Sequence, residues 1–297
     1  MSAPPALRTG FAGLGAMGAH MARNLHHQGL LTAVWNRTTS KATAFAADTG
    51  CRALAGPAGL ADMARQCDVV VLCVAADSDV LECIDQLLPG VHTGLVVVDC
   101  STVAADTARE AARRLSTAGA EFLDAPVSGG VEGARDARLA IMVGGSRNAF
   151  EHTLPVLAAM GATVRHLGPT GFGQATKATN QIMCAGIIQA VAEAMAFAKA
   201  EGLPLAEVID TLGKGAGASW YFVNRAPNMV RDAYPAGFRV QLHAKDLRIC
   251  QSMAARHGVQ LPVVDTTLAH YAELIATGHG DDDISSLFVL KDALFRE

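Results

Sequence analysis

The sequence predicts an α/β fold: an N-terminal domain on a doubly wound, mostly parallel sheet, joined by a long helix to an all-α C-terminal domain. Three observations carry this expectation. Short β-branched runs alternate with helical stretches as far as Leu167, the pattern of strands linked by crossover helices. Some of those runs are apolar without a break, as in the Val-Val-Val-Leu-Cys-Val that follows Asp68. Such a strand needs cover on both faces. Beyond Gly168 nothing reads convincingly as a strand. The domains are therefore expected at residues 1–168 and 169–297.

Length and composition bound the function. A chain of 297 residues can bury a large core and hold two domains. Hydrophobic residues at 51% and charged residues at 18% are a globular, not a disordered, composition. The net charge of −4 offers no basic surface for nucleic acid. No apolar run is expected to reach the roughly 18 residues that span a bilayer, so no membrane partner is expected. Met1 to Arg8 lacks a signal-peptide core, because the first strand starts almost at once. The seven cysteines form no C-x-x-C pair and several sit in apolar strands. They are expected to be reduced, mostly buried thiols of a cytoplasmic protein. Cys184 alone falls near a candidate site, and buried thiols usually only pack.

Taken in order, Leu7 to Ala12 reads as a strand and Met17 to Gln28 as a helix ended by Gly29. Between them lie Gly13, Leu14, Gly15, Ala16, Met17 and Gly18, a G-x-G-x-x-G in strand–turn–helix context. The first glycine allows a tight turn and the second lets backbone approach a pyrophosphate. The third lets helix and strand pack, and the helix N-terminus stabilises the phosphate charge. Leu31 to Trp35 is the second strand and runs into Asn36, Arg37 and Thr38. An acidic residue there would accept from the ribose 2′-hydroxyl of NAD. Here donors stand instead, and a guanidinium matches a phosphate. NADP(H) is therefore favoured, with NAD(H) as the other candidate.

The strand from Asp68 ends at Val74, and Val74 and Ala75 join the candidate cofactor contacts. Leu95 to Val98 is another such strand, and Asp99 to Thr102 at its carboxyl end point to the ligand crevice. Helices are read at Ser40 to Asp48, Asp77 to Leu88 and Val103 to Ala118. Glu121 to Ala125 is the next strand, followed by a loop through Gly133. There Ser128, Gly129 and Gly130 join a hydroxyl to bare backbone amides, a concavity suited to a carboxylate; an ordinary glycine loop is the plainer alternative. Strands at Leu139 to Val143 and Thr163 to Leu167 flank a helix from Ser146 to Met160.

Gly168 to Gly173 reads as a turn, and a long apolar helix follows to about Glu201. Lys177, Asn180, Gln181 and Cys184 recur at i, i+3, i+4 and i+7, so they share a face. A lysine beside amides, on a helix joining two halves, suits a cleft; a surface lysine is the alternative. Helices are then expected at Leu205 to Leu212, Ser219 to Arg231, Val240 to His257 and Pro262 to Thr277. Lys245 and Asp246 lie in the third. Gly213 to Gly217 is not a phosphate loop, since no strand leads in and Lys214 does not precede Ser or Thr. Asp281 to Asp283 are expected to cap a last helix. His279 beside them reads as a solvated turn, and no metal site is expected.

These motifs resemble the β-hydroxyacid dehydrogenases, the group of 3-hydroxyisobutyrate dehydrogenase, tartronate semialdehyde reductase and the glyoxylate/succinic semialdehyde reductases. The likeness covers essentially the whole chain. It rests on Gly13 to Gly18 with Met21, Ala22, Asn24 and Leu25, on Asp99 to Thr102, and on Asp124 to Gly130. Gly173 with Lys177, Asn180 and Gln181, and Lys245 to Leu247, complete it. The resemblance implies a Rossmann domain and an all-helical domain assembled as a homodimer or homotetramer. It implies Lys177 as the catalytic lysine. Ser128, Gly129 and Gly130 would hold the carboxylate of a small aldehyde or hydroxyacid, helped by Asn180 or Gln181. Thr102 and Lys245 would lie near the nicotinamide. Some members carry two asparagines after the lysine, and here the second is Gln181. The expected reaction is hydride transfer between NADP(H) and a short β- or γ-hydroxyacid or semialdehyde. The rivals are an imine reductase, which usually lacks this lysine, and a non-enzymatic NADP(H)-binding protein. A 6-phosphogluconate dehydrogenase proper is much longer.

Overall fold

The computed structural model describes residues 7–296. The reading of Met1 to Arg8 falls largely on residues 1–6, which lie outside the described residues. The chain divides into two compact units, one ending at Lys177 and one beginning at Ala178.

In the first unit the strands are β1 (Thr9–Ala12), β2 (Leu31–Trp35), β3 (Arg52–Leu54), β4 (Val69–Leu72), β5 (Val96–Asp99), β6 (Glu121–Asp124), β7 (Val127–Ser128), β8 (Ala140–Gly144) and β9 (Thr163–Gly168). The helices are α1 (Gly18–His27), α2 (Thr39–Thr49), α3 (Gly56–Gln66), α4 (Asp77–Leu87), α5 (Ala105–Thr117), α6 (Gly130–Arg135) and α7 (Arg147–Ala158). The strands form one sheet in the order β3-β2-β1-β4-β5-β6-β8-β7, with β9 beside β8. Pairing is parallel from β3 to β6 and again between β8 and β9. It is antiparallel where β8 meets β6 and β7. The strand order reverses at β1 and β4, the switch point at which open α/β sheets bind ligands.

The valine runs explain the layering. Val69 and Val71 of β4 face one side of the sheet, with Met21 and Leu25 of α1 and Leu157 of α7. Val70 and Leu72 face the other, with Met63 of α3, Ile84 of α4 and Leu115 of α5. All four strand residues are fully buried, as period-two alternation between two covered faces requires.

Four elements go beyond the sequence reading. Strand β3 is three residues long with two of them exposed, so no apolar run betrays it. Helix α3 has glycines, Gly56 and Gly59, in its first turn, and glycine disfavours helix. Strand β7 and helix α6, two and six residues long, begin where the sequence predicts a loop. None is long enough, or apolar enough at its start, for periodicity to show.

Helix α8 (Phe172–Ala200) crosses the unit boundary and becomes the central helix of the second unit. It is joined there by α9 (Leu205–Leu212), α10 (Trp220–Val230), α11 (Val240–Ala255), α12 (Pro262–Ala276) and α13 (Leu287–Ala293). Ala185, Ile188, Ala192 and Met195 of α8 pack with Phe222, Leu247, Tyr271 and Leu287. The expectation that no stretch could span a bilayer needs correction. Helix α8 is long and apolar enough by length and composition, a test the core helix of a globular unit also passes. Gln181, Gln189 and Glu193 break it into short apolar runs, which is why counting uninterrupted apolar residues missed it. Asp283 is fully buried and caps a short 3₁₀ turn, Ile284–Ser286, that leads into α13. Its other oxygen accepts from the backbone of Gly237 and Phe238 at 3.2 and 2.9 Å.

Candidate active site

The nucleotide loop follows from how β1, β2 and β4 pair. Ala12 lies opposite Leu72, so Gly13 meets the chain leaving β4. Gly13 has φ +104°, and a Cβ there would stand 2.1 Å from the carbonyl oxygen of Cys73. A Cβ on Gly18 would stand 1.9 Å from the Gly13 carbonyl oxygen. Gly15 differs: a Cβ there would meet nothing within 4 Å, and the residue is exposed. The protein's own packing therefore requires Gly13 and Gly18, and Gly15 leaves open space. Ala16 is exposed and Met17 half-buried on the same loop.

Asn36 holds the loop in place. Its Oδ1 accepts from the backbone N–H of Leu14 at 2.9 Å, and its Nδ2 donates to the carbonyl of Thr38 at 3.0 Å. Thr38 is exposed, as is Arg37, whose Nη1 pairs with Asp79 Oδ1 at 2.8 Å. At the end of β4, the Val74 N–H donates to Ser101 Oγ at 2.9 Å, with Ala75 exposed beside it. Ser101 N–H donates in turn to Asp99 Oδ1 at 2.9 Å, and Thr102 is half-buried on the same turn. The cofactor candidates of the first unit thus gather at the carboxyl ends of β1, β2, β4 and β5.

Lys177 is only 7% exposed. The start of its helix is fastened to the sheet by two residues the sequence reading gave no role. Asp124, fully buried at the end of β6, accepts from the N–H of Gly171 at 2.7 Å and of Gln174 at 2.9 Å. Burial pushes its carboxyl pKa up, and those backbone donors pull against the shift. The Gln174 side chain donates to the Ser101 carbonyl at 2.8 Å and accepts from Val103 N–H at 3.2 Å. A Cβ on Gly173 would stand 2.4 Å from the carbonyl oxygens of both Asp124 and Met142, which is why glycine stands there. A polar residue closing the apolar run Phe122-Leu123 was the signal for Asp124. Asp124→Asn would turn an amide N–H against one of these donors. A loss of about 1–3 kcal/mol is expected, read as a lower urea midpoint.

Ser128, half-buried, ends β7, and Gly129 and Gly130 follow with φ of +138° and +66°. Such consecutive conformations, open to few residues but glycine, make a backbone concavity of the kind that binds anions. In the second unit, Asp246 links three candidates. Its Oδ2 accepts from Gln181 Nε2 at 2.8 Å, and its Oδ1 pairs with Lys245 Nζ at 3.0 Å. Asn180 Nδ2 donates to Gln181 Oε1 at 2.8 Å and approaches Cys184 Sγ at 3.5 Å. Both ends of the Gln181 amide are therefore engaged within the protein. His279 meets Asp282 at 2.7 Å on its turn.

A family description, the NAD binding domain of 6-phosphogluconate dehydrogenase, matches residues 8–168. A second, NAD-binding of NADP-dependent 3-hydroxyisobutyrate dehydrogenase, matches residues 171–290. The chain belongs to the β-hydroxyacid dehydrogenase family. An uncharacterised oxidoreductase of Shewanella frigidimarina is 39% identical over 94% of this chain and 96% of its own length. The NAD-dependent L-serine dehydrogenase of Pseudomonas aeruginosa is 34% identical over 95% of this chain and 97% of its own. Among solved structures, 3-hydroxyisobutyrate dehydrogenase of Mycobacterium tuberculosis with L-serine superposes with a TM-score of 0.86. It is 30% identical, over 96% of this chain and 99% of that one. This β-hydroxyacid dehydrogenase is thus an NAD(P)-dependent enzyme, and a nicotinamide dinucleotide is its cofactor. The loop fits that cofactor: the open space over Gly15 is where a pyrophosphate would approach backbone.

Proposed function

We propose that this enzyme transfers hydride reversibly between NADP(H) and a short β- or γ-hydroxyacid or its semialdehyde, with Lys177 as general acid and base. The observation that carries the reading is the burial of Lys177 on a helix start held by Asp124 and Gln174. Lysines rarely leave water without a task. When bound, the nicotinamide gives the hydride in reduction and takes it in oxidation. Lys177 as ammonium donates a proton to the carbonyl oxygen, and as amine accepts the hydroxyl proton in the reverse direction. Ser128 and the N–H groups around Gly129 and Gly130 bind the substrate carboxylate. Asn180 assists them, because Gln181 is spent on Asp246 and Asn180. The loop from Gly13 to Gly18 cradles the pyrophosphate, with Val74, Ala75, Thr102 and Lys245 as further cofactor contacts. Arg37 meets the 2′-phosphate of NADP.

In this reading residues 1–168 are the cofactor-binding domain and 169–297 the substrate and dimerisation domain of a homodimer or homotetramer. Met183 and Phe197 of α8, 62% and 53% exposed, supply apolar surface for that assembly.

A steady-state panel tests the substrate class. Succinic semialdehyde, glyoxylate, tartronate semialdehyde and cyclic imines would be reduced with NADPH and NADH side by side, and 3-hydroxyisobutyrate and L-serine oxidised. Turnover of a carboxylate-bearing substrate, with higher kcat/KM for the phosphorylated cofactor, is expected. Turnover confined to imines would overturn the reading.

A further inference from the structure

Arg37 does not stand alone at the end of β2. Its guanidinium, 75% exposed at the side chain, meets a carboxylate from another element, Asp79 in the first turn of α4, which is 20% exposed. The neighbouring acid of that turn is otherwise engaged. Asp77 Oδ1 accepts from Ala104 N–H at 2.8 Å and from Thr107 Oγ1 at 2.6 Å. Asp79 is thus the carboxylate of the α4 start that faces the 2′-phosphate ligand.

We propose that Asp79 is a specificity-determining residue that competes with the ribose 2′-phosphate for Arg37 and so narrows the preference for NADP(H) over NAD(H). The inference rests on the reading of Arg37 as the 2′-phosphate ligand. A guanidinium satisfies carboxylate and phosphate with the same donors, so the two anions contend for one fork. The Arg37 end of the pair is largely exposed, and ion pairs open to solvent are weak, so a phosphate can displace the carboxylate. The carboxylate stays on α4 after displacement, and its charge opposes the arriving dianion. A 2′-hydroxyl carries no charge to oppose, and a carboxylate is an acceptor for it. Asp79 therefore acts against one cofactor and not the other.

The test is equilibrium binding to the full-length protein by calorimetry, with adenosine 2′,5′-bisphosphate and AMP as probes, then NADP⁺ and NAD⁺. Asp79→Asn keeps the shape and removes the charge. It should tighten adenosine 2′,5′-bisphosphate and NADP⁺ about three- to tenfold and leave AMP within about twofold. The gain should shrink in 0.5 M KCl, where the Debye length is only a few ångströms. Unchanged or weaker binding of the bisphosphate by Asp79→Asn overturns the proposal. Arg37→Ala separates the two readings. If it weakens the bisphosphate while Asp79→Asn does not tighten it, only the role of Asp79 fails. If Arg37→Ala leaves bisphosphate and AMP both unchanged, the NADP assignment falls and this inference with it.

Discussion

Lys177→Ala should lower kcat by roughly 10²–10⁴, the range for loss of a positioned general acid, and leave the dissociation constant for NADPH within about twofold. Alanine is the best helix former, and the Asp124 and Gln174 contacts that hold the helix start do not involve the lysine side chain. The fold should therefore survive, which a thermal melt checks. Lys177→Arg is the sharper companion. It keeps the positive charge and most of the bulk, but a guanidinium is not deprotonated in proteins. If Lys177 only neutralises a carboxylate, the arginine variant should recover activity; if it moves a proton, both variants should be inactive. Turnover within about threefold of wild type for Lys177→Ala would sink the assignment.

The second large effect is a contrast between two glycines of one loop. Gly13→Ala should cost about 2–5 kcal/mol of stability, since the new methyl meets the Cys73 carbonyl at 2.1 Å from a backbone with φ +104°. Gly15→Ala meets no protein atom within 4 Å, so its stability should change by no more than about 0.5 kcal/mol. Its methyl instead fills the space left for the pyrophosphate, and NADPH affinity should drop about tenfold or more. Melting curves and quenching of NADPH fluorescence measure the two effects independently. Wild-type cofactor affinity in Gly15→Ala would show that the open space over that residue is not where the phosphates lie.

The parallel sheet was legible because β4 and β5 are unbroken valine runs that only two covered faces explain. The glycine loop was legible because its chemistry is local, strand to turn to helix within ten or so residues. The face of α8 carrying Lys177, Asn180 and Gln181 followed from helical spacing alone. What escaped is of two kinds. Strand β3 and helices α3 and α6 are too short, or too glycine-rich at their starts, for a period to emerge. The positioning contacts are long-range. Asp124 reaches Gly171 across 47 residues, Gln174 reaches Ser101 across 73, and Arg37 reaches Asp79 across 42. Nothing in either partner's neighbourhood announces the other until the sheet brings the strand ends together.

Asp124 has a consequence for any attempt to cut the chain into fragments. A piece ending at residue 168, where the sheet ends, would retain every strand and the whole nucleotide loop. It would also strip a fully buried carboxylate of the Gly171 and Gln174 amides that satisfy it, at a desolvation penalty that a small domain bears poorly. The severed edge would be the one from which the amine hangs. A self-sufficient nucleotide-binding fragment must therefore carry the opening turns of α8, and so brings Lys177 along.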